Sequence, residues 1–190
     1  MNIVLASASP RRRELLTMLG VKDFKIVPAE GDEIIEEGLS PAEAVCALSH
    51  AKADEVSKKC APSDIIIAAD TIVVLDGDIL GKPSDKSDAF HMLTLLSGRA
   101  HSVFTGVTVM QGEKTLVEFE RTVVRFRALT EREIEAYIQT GEPMDKAGSY
   151  GAQGIGSLFI EGIEGDFFNV MGLPLCRLSK MLEQLGVYLI

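Results

Sequence analysis

The hydrophobic positions of the chain fall into short continuous runs and helix-spaced stripes, which predicts alternating strands and helices. An apolar run beginning at Ile3 passes through small hydroxyl residues into Pro10, so we expect a strand and then a helix with Ser9 as its N-cap. A second run, residues 65–69, is apolar throughout and is followed by Asp70. Uninterrupted runs of this kind are typical of strands buried on both faces of a mainly parallel sheet.

Two capping boxes mark further helix starts, at residues 40–43 and 130–133. The helix that starts at residues 40–43 is expected to continue to about Cys60, and the one that starts at residues 130–133 is expected to end near Gly141. The apolar face of the helix at residues 40–60 is expected to contain Ala44, Leu48, Ala51 and Val56. The remaining predicted elements are a strand at 24–27, a helix at 85–96, an antiparallel hairpin at 101–110 and 115–127, strands at 158–160 and 167–171, and a helix after Pro174.

Length and charge narrow the class of protein. A chain of 190 residues with 46% hydrophobic content can bury one core, so we expect a single domain that could divide into two lobes. A net charge of −9 argues against a general binder of nucleic acids or anionic membranes. No segment approaches the ~18 apolar residues of a membrane span, and three scattered cysteines suggest a reducing compartment. We therefore expect a cytoplasmic protein with neither nucleic-acid nor membrane partners.

The first predicted helix carries Arg11, Arg12 and Arg13 in its first turn. A helix N-terminus has unpaired N–H groups and a positive partial charge, so acidic residues or bound anions are favoured there. Three arginines at this position reduce stability unless an anion binds, which indicates a phosphate site. The alternative is a capped surface helix whose basic first turn is solvated.

Further charged residues lie at predicted loops or element ends. Carboxylates near a polyphosphate would repel it unless a divalent cation stood between them, so the combination indicates a Mg²⁺ or Mn²⁺ enzyme acting on phosphate esters. Asp70 follows a buried strand, where ligands of open α/β sheets bind, although it could merely cap a turn. Lys52 has the commoner interpretation of a surface lysine whose stem covers apolar surface. The candidate cations are Arg11, Arg12, Lys52 and Lys82, and the candidate carboxylates are Glu33 and Asp70.

Six short motifs, in order along the whole chain, resemble the Maf family of nucleotide pyrophosphatases. They lie at residues 7–12, 69–71, 81–83, 96–101, 142–148 and 169–174. The resemblance implies one domain over residues 1–190 and an α/β fold like that of the inosine triphosphate pyrophosphatases. Such a fold has a mixed, largely parallel central sheet flanked by helices, and we expect the site in a cleft between two lobes.

The resemblance also implies an enzyme that hydrolyses a nucleoside triphosphate to the monophosphate and pyrophosphate with a divalent metal. Asp70 matches the family's proton acceptor, and the combination of Asp70-Thr71 with residues 145–148 and Gln153 looks like the branch acting on dTTP and UTP. Glu33 and Asp70 are the expected metal ligands, with Asp32 the alternative to Glu33. The expected substrate-binding residues are Ser7, Ser9, Arg11, Arg12, Lys52, Thr71, Lys82 and Gln153, of which Arg12, Thr71 and Gln153 match positions that separate the subfamilies.

Other functions stay open at this point. A regulatory nucleotide-binding protein of cell division would need the phosphate-binding residues but no general base, and a phosphatase releasing orthophosphate would use similar residues. The substrate could be a natural pyrimidine nucleotide or a modified one removed in a house-cleaning role. A homodimer is the assembly that the resemblance implies.

Overall fold

The structure is a computed structural model that describes residues 2–21, 23–31, 34–36 and 38–190. Its contacts divide the chain into two compact units. Unit 1 comprises Met1–Asp70, Thr105–Glu120 and Gly172–Ile190, and unit 2 comprises Thr71–Phe104 and Arg121–Met171. Three long strands belong partly to each unit, so neither unit is one continuous stretch of the chain.

Seven strands form one sheet in the described part of the chain. They are β1 (Ile3–Leu5), β2 (Phe24–Ile26), β3 (Ile65–Leu75), β4 (Asp78–Leu80), β5 (Ala100–Gln111), β6 (Lys114–Phe126) and β7 (Ile160–Glu164). Their order is β2-β1-β3-β5-β6-β7, with β4 paired to β3. β1 is parallel to β2 and β3, whereas β4 is antiparallel to β3 and β7 to β6. The sheet is therefore mixed, as expected.

The helices follow the local signals of the sequence. They are α1 (Pro10–Met18), α2 (Pro41–Ser57), α3 (Lys86–Leu96), α4 (Glu131–Gln139), α5 (Phe167–Met171) and α6 (Leu175–Glu183), with 3₁₀ helices at Glu142–Asp145, Ala147–Ser149 and Ile155–Phe159. Both predicted capping boxes form, at Ser40 with Glu43 and at Thr130 with Glu133. None of these helices combines the length and apolar character needed to cross a membrane.

Each unit has its own core. In unit 1 a buried cluster of small and branched side chains joins β1, β3 and α2, and it includes Val4, Ile66, Ala53 and Val56. The predicted apolar face of α2 is correct except at Ala51, which is exposed. In unit 2 the core combines aliphatic side chains with a group of aromatic rings, in which Phe126 is edge-on to Tyr150 at 4.7 Å and Tyr137 edge-on to Phe159 at 5.0 Å between ring centroids.

Three of the predicted strands differ from the structure. β3 does not end before Asp70 but continues to Leu75, because β4 pairs with its last residues. The C-terminal strand predicted at 167–171 is the short helix α5, which starts where the Asp166 carboxylate accepts the Phe168 N–H at 2.8 Å. The strand predicted at 158–160 begins only at Ile160, after a 3₁₀ helix.

Candidate active site

The loop between β1 and α1 fixes the side chain of Arg12. α1 begins at Pro10 with Ser9 as its N-cap, as predicted, and its first turn holds no acidic residue. The Ser7 hydroxyl oxygen accepts hydrogen bonds from the Ser9 N–H and from Arg12 Nη1, both at 3.2 Å. Arg12 Nε donates to the carbonyl oxygen of Gly172 at 2.8 Å. The guanidinium is therefore held from two sides next to the helix N-terminus.

Lys52 and Asp70 form an ion pair in unit 1. Lys52 Nζ donates to Asp70 Oδ1, and only 16% of the lysine side chain and 8% of the aspartate side chain are exposed. The interpretation of Lys52 as a surface lysine is therefore wrong. The sequence could not indicate this pair, because the two residues lie on different elements.

The packing of α2 on β5 brings Lys52 to this position. A Cβ atom on Gly106 would lie 2.1 Å from the carbonyl oxygen of Val45, so only glycine allows the helix to approach the strand this closely. The hydroxyls of Ser49 and Thr108 join the same two elements by a buried hydrogen bond of 2.9 Å. Lys52, one helical turn beyond Ser49, is thereby placed over the sheet.

Asp70 lies in β3 between two pairing partners. The parallel ladder with β1 ends at Leu5 and Ile67, and the antiparallel ladder with β4 begins at Val73. Because β1 and β3 run in the same direction, the chain beyond Leu5 leaves the sheet toward the Asp70 end of β3. The loop carrying Ser7 and the Lys52–Asp70 pair therefore lie at the same end of the parallel ladder. We call Ser7, Arg12, Lys52 and Asp70 the charged cluster.

In unit 2, β4 ends at Leu80, which pairs with Val73 of the antiparallel strand β3. Lys82 lies two residues after Leu80, and Thr71 lies two residues before Val73. Thr71 is half-buried and Lys82 is exposed. The carbonyl oxygen of Gly81 accepts the Gly148 N–H at 3.0 Å, which connects this stretch to the 3₁₀ helix at Ala147–Ser149.

Gln153 is exposed in a loop of residues 151–156, which we call the glycine loop. The N–H of Gly151 donates to the Tyr137 hydroxyl oxygen at 3.1 Å. The N–H groups of Ile155 and Gly156 donate to the Glu142 carboxylate at 2.9 and 3.2 Å, and the Tyr137 hydroxyl donates to the same carboxylate at 2.8 Å. The loop is therefore held at both ends.

Sequence reasoning assigned no role to Tyr137, Glu142 or Gly172. Glu142 lies in one of the six motifs, but no local pattern says that a carboxylate will bind N–H groups ten or more residues later. Gly172 has a φ of 105°, a backbone conformation that favours glycine, and its place in the motif at residues 169–174 was the signal that could have pointed to it.

The expected metal ligands are described only in part. Glu33 and its alternative Asp32 lie outside the described residues, and no group of three His, Cys, Asp or Glu side chains able to hold a metal occurs within the ranges that are described. Asp70 fits the expectation chemically, because Mg²⁺ prefers hard carboxylate oxygens. Mg²⁺ also commonly binds through one or two carboxylates, water and substrate phosphates, so a cluster of three is not required.

The fold can be compared with that of solved structures. The structure is similar to a HAM1 protein from Coxiella burnetii, with a TM-score of 0.51 at 16% identity, covering 97% of this chain and 99% of that one. This likeness confirms the expected α/β fold of the inosine triphosphate pyrophosphatase type.

The chain belongs to the Maf-like protein family, whose model matches residues 2–185. Among curated relatives, one named dTTP/UTP pyrophosphatase from Caldicellulosiruptor saccharolyticus is 49% identical over 189 residues, covering 97% of this chain and 94% of the relative. Another of that name, from Symbiobacterium thermophilum, is 50% identical over 184 residues, with the same two coverages of 97% and 94%. The resemblance seen in the six motifs is thus confirmed at the level of the family.

Proposed function

We propose that this protein hydrolyses UTP and dTTP to the corresponding monophosphate and pyrophosphate, using a divalent cation. The observation that carries the proposal is the buried ion pair of Asp70 with Lys52 at the end of the parallel ladder toward which the Ser7 loop runs. A carboxylate with a nearby cation, beside a helix N-terminus, provides a general base next to an anion site. The names of the curated relatives support the choice of substrate.

The triphosphate binds at the start of α1. The helix N-terminus attracts anions, and its first turn supplies Arg11 and Arg12 rather than acidic residues. Arg12 is held by Ser7 and by the carbonyl oxygen of Gly172, so its guanidinium loses little further freedom when phosphate binds. Ser9 and Lys82 contribute further polar and positive groups to the substrate.

Asp70 acts as the general base that accepts a proton from the attacking water. Its burial limits the number of positions that the carboxylate can adopt, and Lys52 orients it through the hydrogen bond to Oδ1. The metal would be held by Glu33 and Asp70, where it would screen the phosphate charge from the carboxylates and polarise the phosphate that is attacked.

Gln153 selects the base. Uracil and thymine present an N3–H donor between two carbonyl acceptors, and a Gln amide can pair with the N3–H and one neighbouring carbonyl at once. Cytosine has no N3–H and carries an amino group in place of one carbonyl. A fixed amide would therefore oppose it with like groups. Thr71 and Arg12 match the other two positions that separate the subfamilies, and we assign both to substrate binding.

Product analysis tests this function. Phosphorus NMR of a reaction with UTP and Mg²⁺ is expected to give UMP and pyrophosphate, and excess chelator is expected to abolish turnover. Orthophosphate as the first product would instead identify a phosphatase. Tight UTP binding without turnover in any divalent metal would identify a regulatory nucleotide-binding protein.

A further inference from the structure

The glycine loop is built around two side chains that have no task in the proposed chemistry, Tyr137 and Glu142. Tyr137 binds the start of the glycine loop and Glu142 binds its end, and the two side chains also bind each other. The Tyr137 hydroxyl donates to the same Glu142 carboxylate oxygen, Oε1, that accepts the Gly156 N–H. The Tyr137 oxygen also accepts the N–H of Gly151. Gln153 lies between the hydrogen-bonded ends of the loop, where residues 152–155 are exposed or half-buried whereas Gly151 and Gly156 are buried.

The glycines of the loop show how closely it wraps these side chains. A Cβ atom on Gly154 would lie 2.4 Å from both carboxylate oxygens of Glu142, and one on Gly156 would lie 2.7 Å from the Tyr137 hydroxyl. A Cβ atom on Gly156 would also lie 2.8 Å from the carbonyl oxygen of Gly151, so a side chain there would require the backbone to shift, and a side chain at Gly154 would displace the Glu142 carboxylate. The loop therefore lies directly against the Glu142 carboxylate and the Tyr137 hydroxyl.

The charge of Glu142 strengthens the contact. Burial alone would raise the pKa of Glu142, but the N–H groups of Ile155 and Gly156 and the Tyr137 hydroxyl outweigh it and keep the pKa below its ordinary value. The carboxylate is therefore ionised at neutral pH, and hydrogen bonds to an ionised acceptor are stronger than those between neutral groups. Lys146 closes the arrangement by donating to the carbonyl oxygen of Glu142 at 2.6 Å.

We propose that Glu142 is a positioning residue for base selection, which acts through the glycine loop by fixing where Gln153 meets the base. The inference rests on the proposed function, in which Gln153 distinguishes uracil and thymine from cytosine. Discrimination by hydrogen bonds requires the amide to be held in one place, and an exposed side chain next to a glycine, as Gln153 is to Gly154, has no such restraint from its own packing. The carboxylate supplies the restraint from a distance.

The test compares UTP with CTP in steady-state kinetics for the wild type and for Glu142→Gln. The substituted amide keeps the size of the side chain, but it presents an NH₂ group to a site that holds three donors, so at least one of them loses its partner. We expect the ratio of kcat/KM for UTP to that for CTP to fall by about fivefold or more, mainly through a higher KM for UTP. Glu135→Gln, at an exposed position of α4, is the matched control and should leave the ratio unchanged.

A double-mutant cycle separates positioning from a general effect on the fold. If Glu142 acts through Gln153, then Glu142→Gln added to Gln153→Ala should lower the UTP to CTP ratio no further than Gln153→Ala alone. Hydrogen exchange of the peptide covering residues 151–156 should also be faster in Glu142→Gln than in the control. Additive losses in the cycle, or an unchanged ratio despite faster exchange, would overturn the inference.

Tyr137→Phe covers the case in which Glu142→Gln fails to fold. It removes one hydroxyl that binds both the Glu142 carboxylate and the Gly151 N–H while leaving the aromatic packing in place, so the UTP to CTP ratio should again fall, and an unchanged ratio would overturn the inference. A wild-type enzyme that turns over UTP and CTP equally would overturn the proposed function and the inference together. A selective wild type whose Glu142→Gln variant is equally selective would overturn the inference alone.

Discussion

The charged cluster of unit 1 and the glycine loop of unit 2 hold their functional side chains in opposite ways. In the cluster, the groups bind one another directly, Lys52 to Asp70 and Arg12 to Ser7. In the loop, Gln153 is exposed, and only the backbone on either side of it is bound. The difference suggests that the chemical step depends on side chains positioned by their own contacts, whereas base selection depends on a side chain positioned by its neighbours.

The largest effect is expected from Asp70→Asn. An amide cannot accept the proton of the attacking water, so kcat for UTP should fall by roughly 10²-fold or more. Nucleotide affinity should stay similar or become tighter, because a negative charge is removed beside a triphosphate. Single-turnover kinetics and a binding titration measure the two quantities. Turnover close to that of the wild type would reassign Asp70 to a structural role and remove the cluster from the chemistry.

Arg11→Ala is expected to act on phosphate binding alone. A charge-assisted contact to phosphate is worth about 1.5–3 kcal/mol, so affinity for UTP should fall by about 10- to 150-fold while affinity for uridine changes little. Arg13→Ala is the matched control, because Arg13 lies in the same turn and is exposed whereas Arg11 is half-buried. Calorimetry with both ligands measures the difference. Equal losses for UTP and uridine would make Arg11 a structural residue.

Gln153→Glu should change selectivity and not the chemical step. A carboxylate offers no donor to a carbonyl but can accept from the cytosine amino group, so the preference for UTP over CTP should shrink by about 5- to 150-fold. Competition assays with both nucleotides in one reaction measure the ratio directly. If both rates fall together and the ratio is kept, the backbone of the glycine loop reads the base and the contrast between the two regions fails.

The smallest effect concerns His101, which is buried in the aromatic core of unit 2 and hydrogen-bonded to the Tyr150 hydroxyl at 2.8 Å. Burial lowers the pKa of His101 to about 4 from 6.5. The unfolded chain therefore binds a proton at higher pH than the folded one, and the stabilisation is complete above about pH 6.5 and is lost as the pH falls toward 4. We expect the free energy of unfolding to drop by about 1 kcal/mol between pH 8 and pH 6.

Urea unfolding at the two pH values measures this drop. His101→Gln should remove most of the pH dependence, whereas His91→Gln, at an exposed position of α3, should retain it. Hydrogen exchange at pH 6 should show protection lost in unit 2 before unit 1. An unfolding free energy that is the same at both pH values would mean that the pKa of His101 is not lowered in the folded protein.

Local signals made much of the fold predictable from the sequence. The N-cap Ser9 before Pro10 and the capping boxes at Ser40 and Thr130 gave three helix starts correctly, because the groups involved lie within four residues of one another. α5 had such a signal as well, since Asp166 caps it, but its apolar residues resembled a strand. The boundaries that failed depend on partners elsewhere in the chain.

The site residues show the same difference between features that depend on local sequence and features that depend on distant partners. Asp70 and Arg12 could be proposed as site residues because they lie in motifs, and these assignments stay predictions. The premise that β3 ends before Asp70 was wrong, since the pairing with β4 that extends the strand is a tertiary contact. The partnership of Lys52 with Asp70 depends on the approach of α2 to Gly106, and no local pattern reports it. Glu142 was missed for the same reason, because its three donors come from other elements.

The central claim is that the charged cluster and the glycine loop perform separate tasks, and a double-mutant cycle between Asp70→Asn and Gln153→Glu tests it most directly. We expect independence: the double variant should show the kcat loss of the first and the reduced UTP to CTP ratio of the second, with a coupling energy below about 0.5 kcal/mol in kcat/KM for UTP. A coupling above about 1 kcal/mol, or a UTP to CTP ratio that collapses in Asp70→Asn alone, would contradict the account.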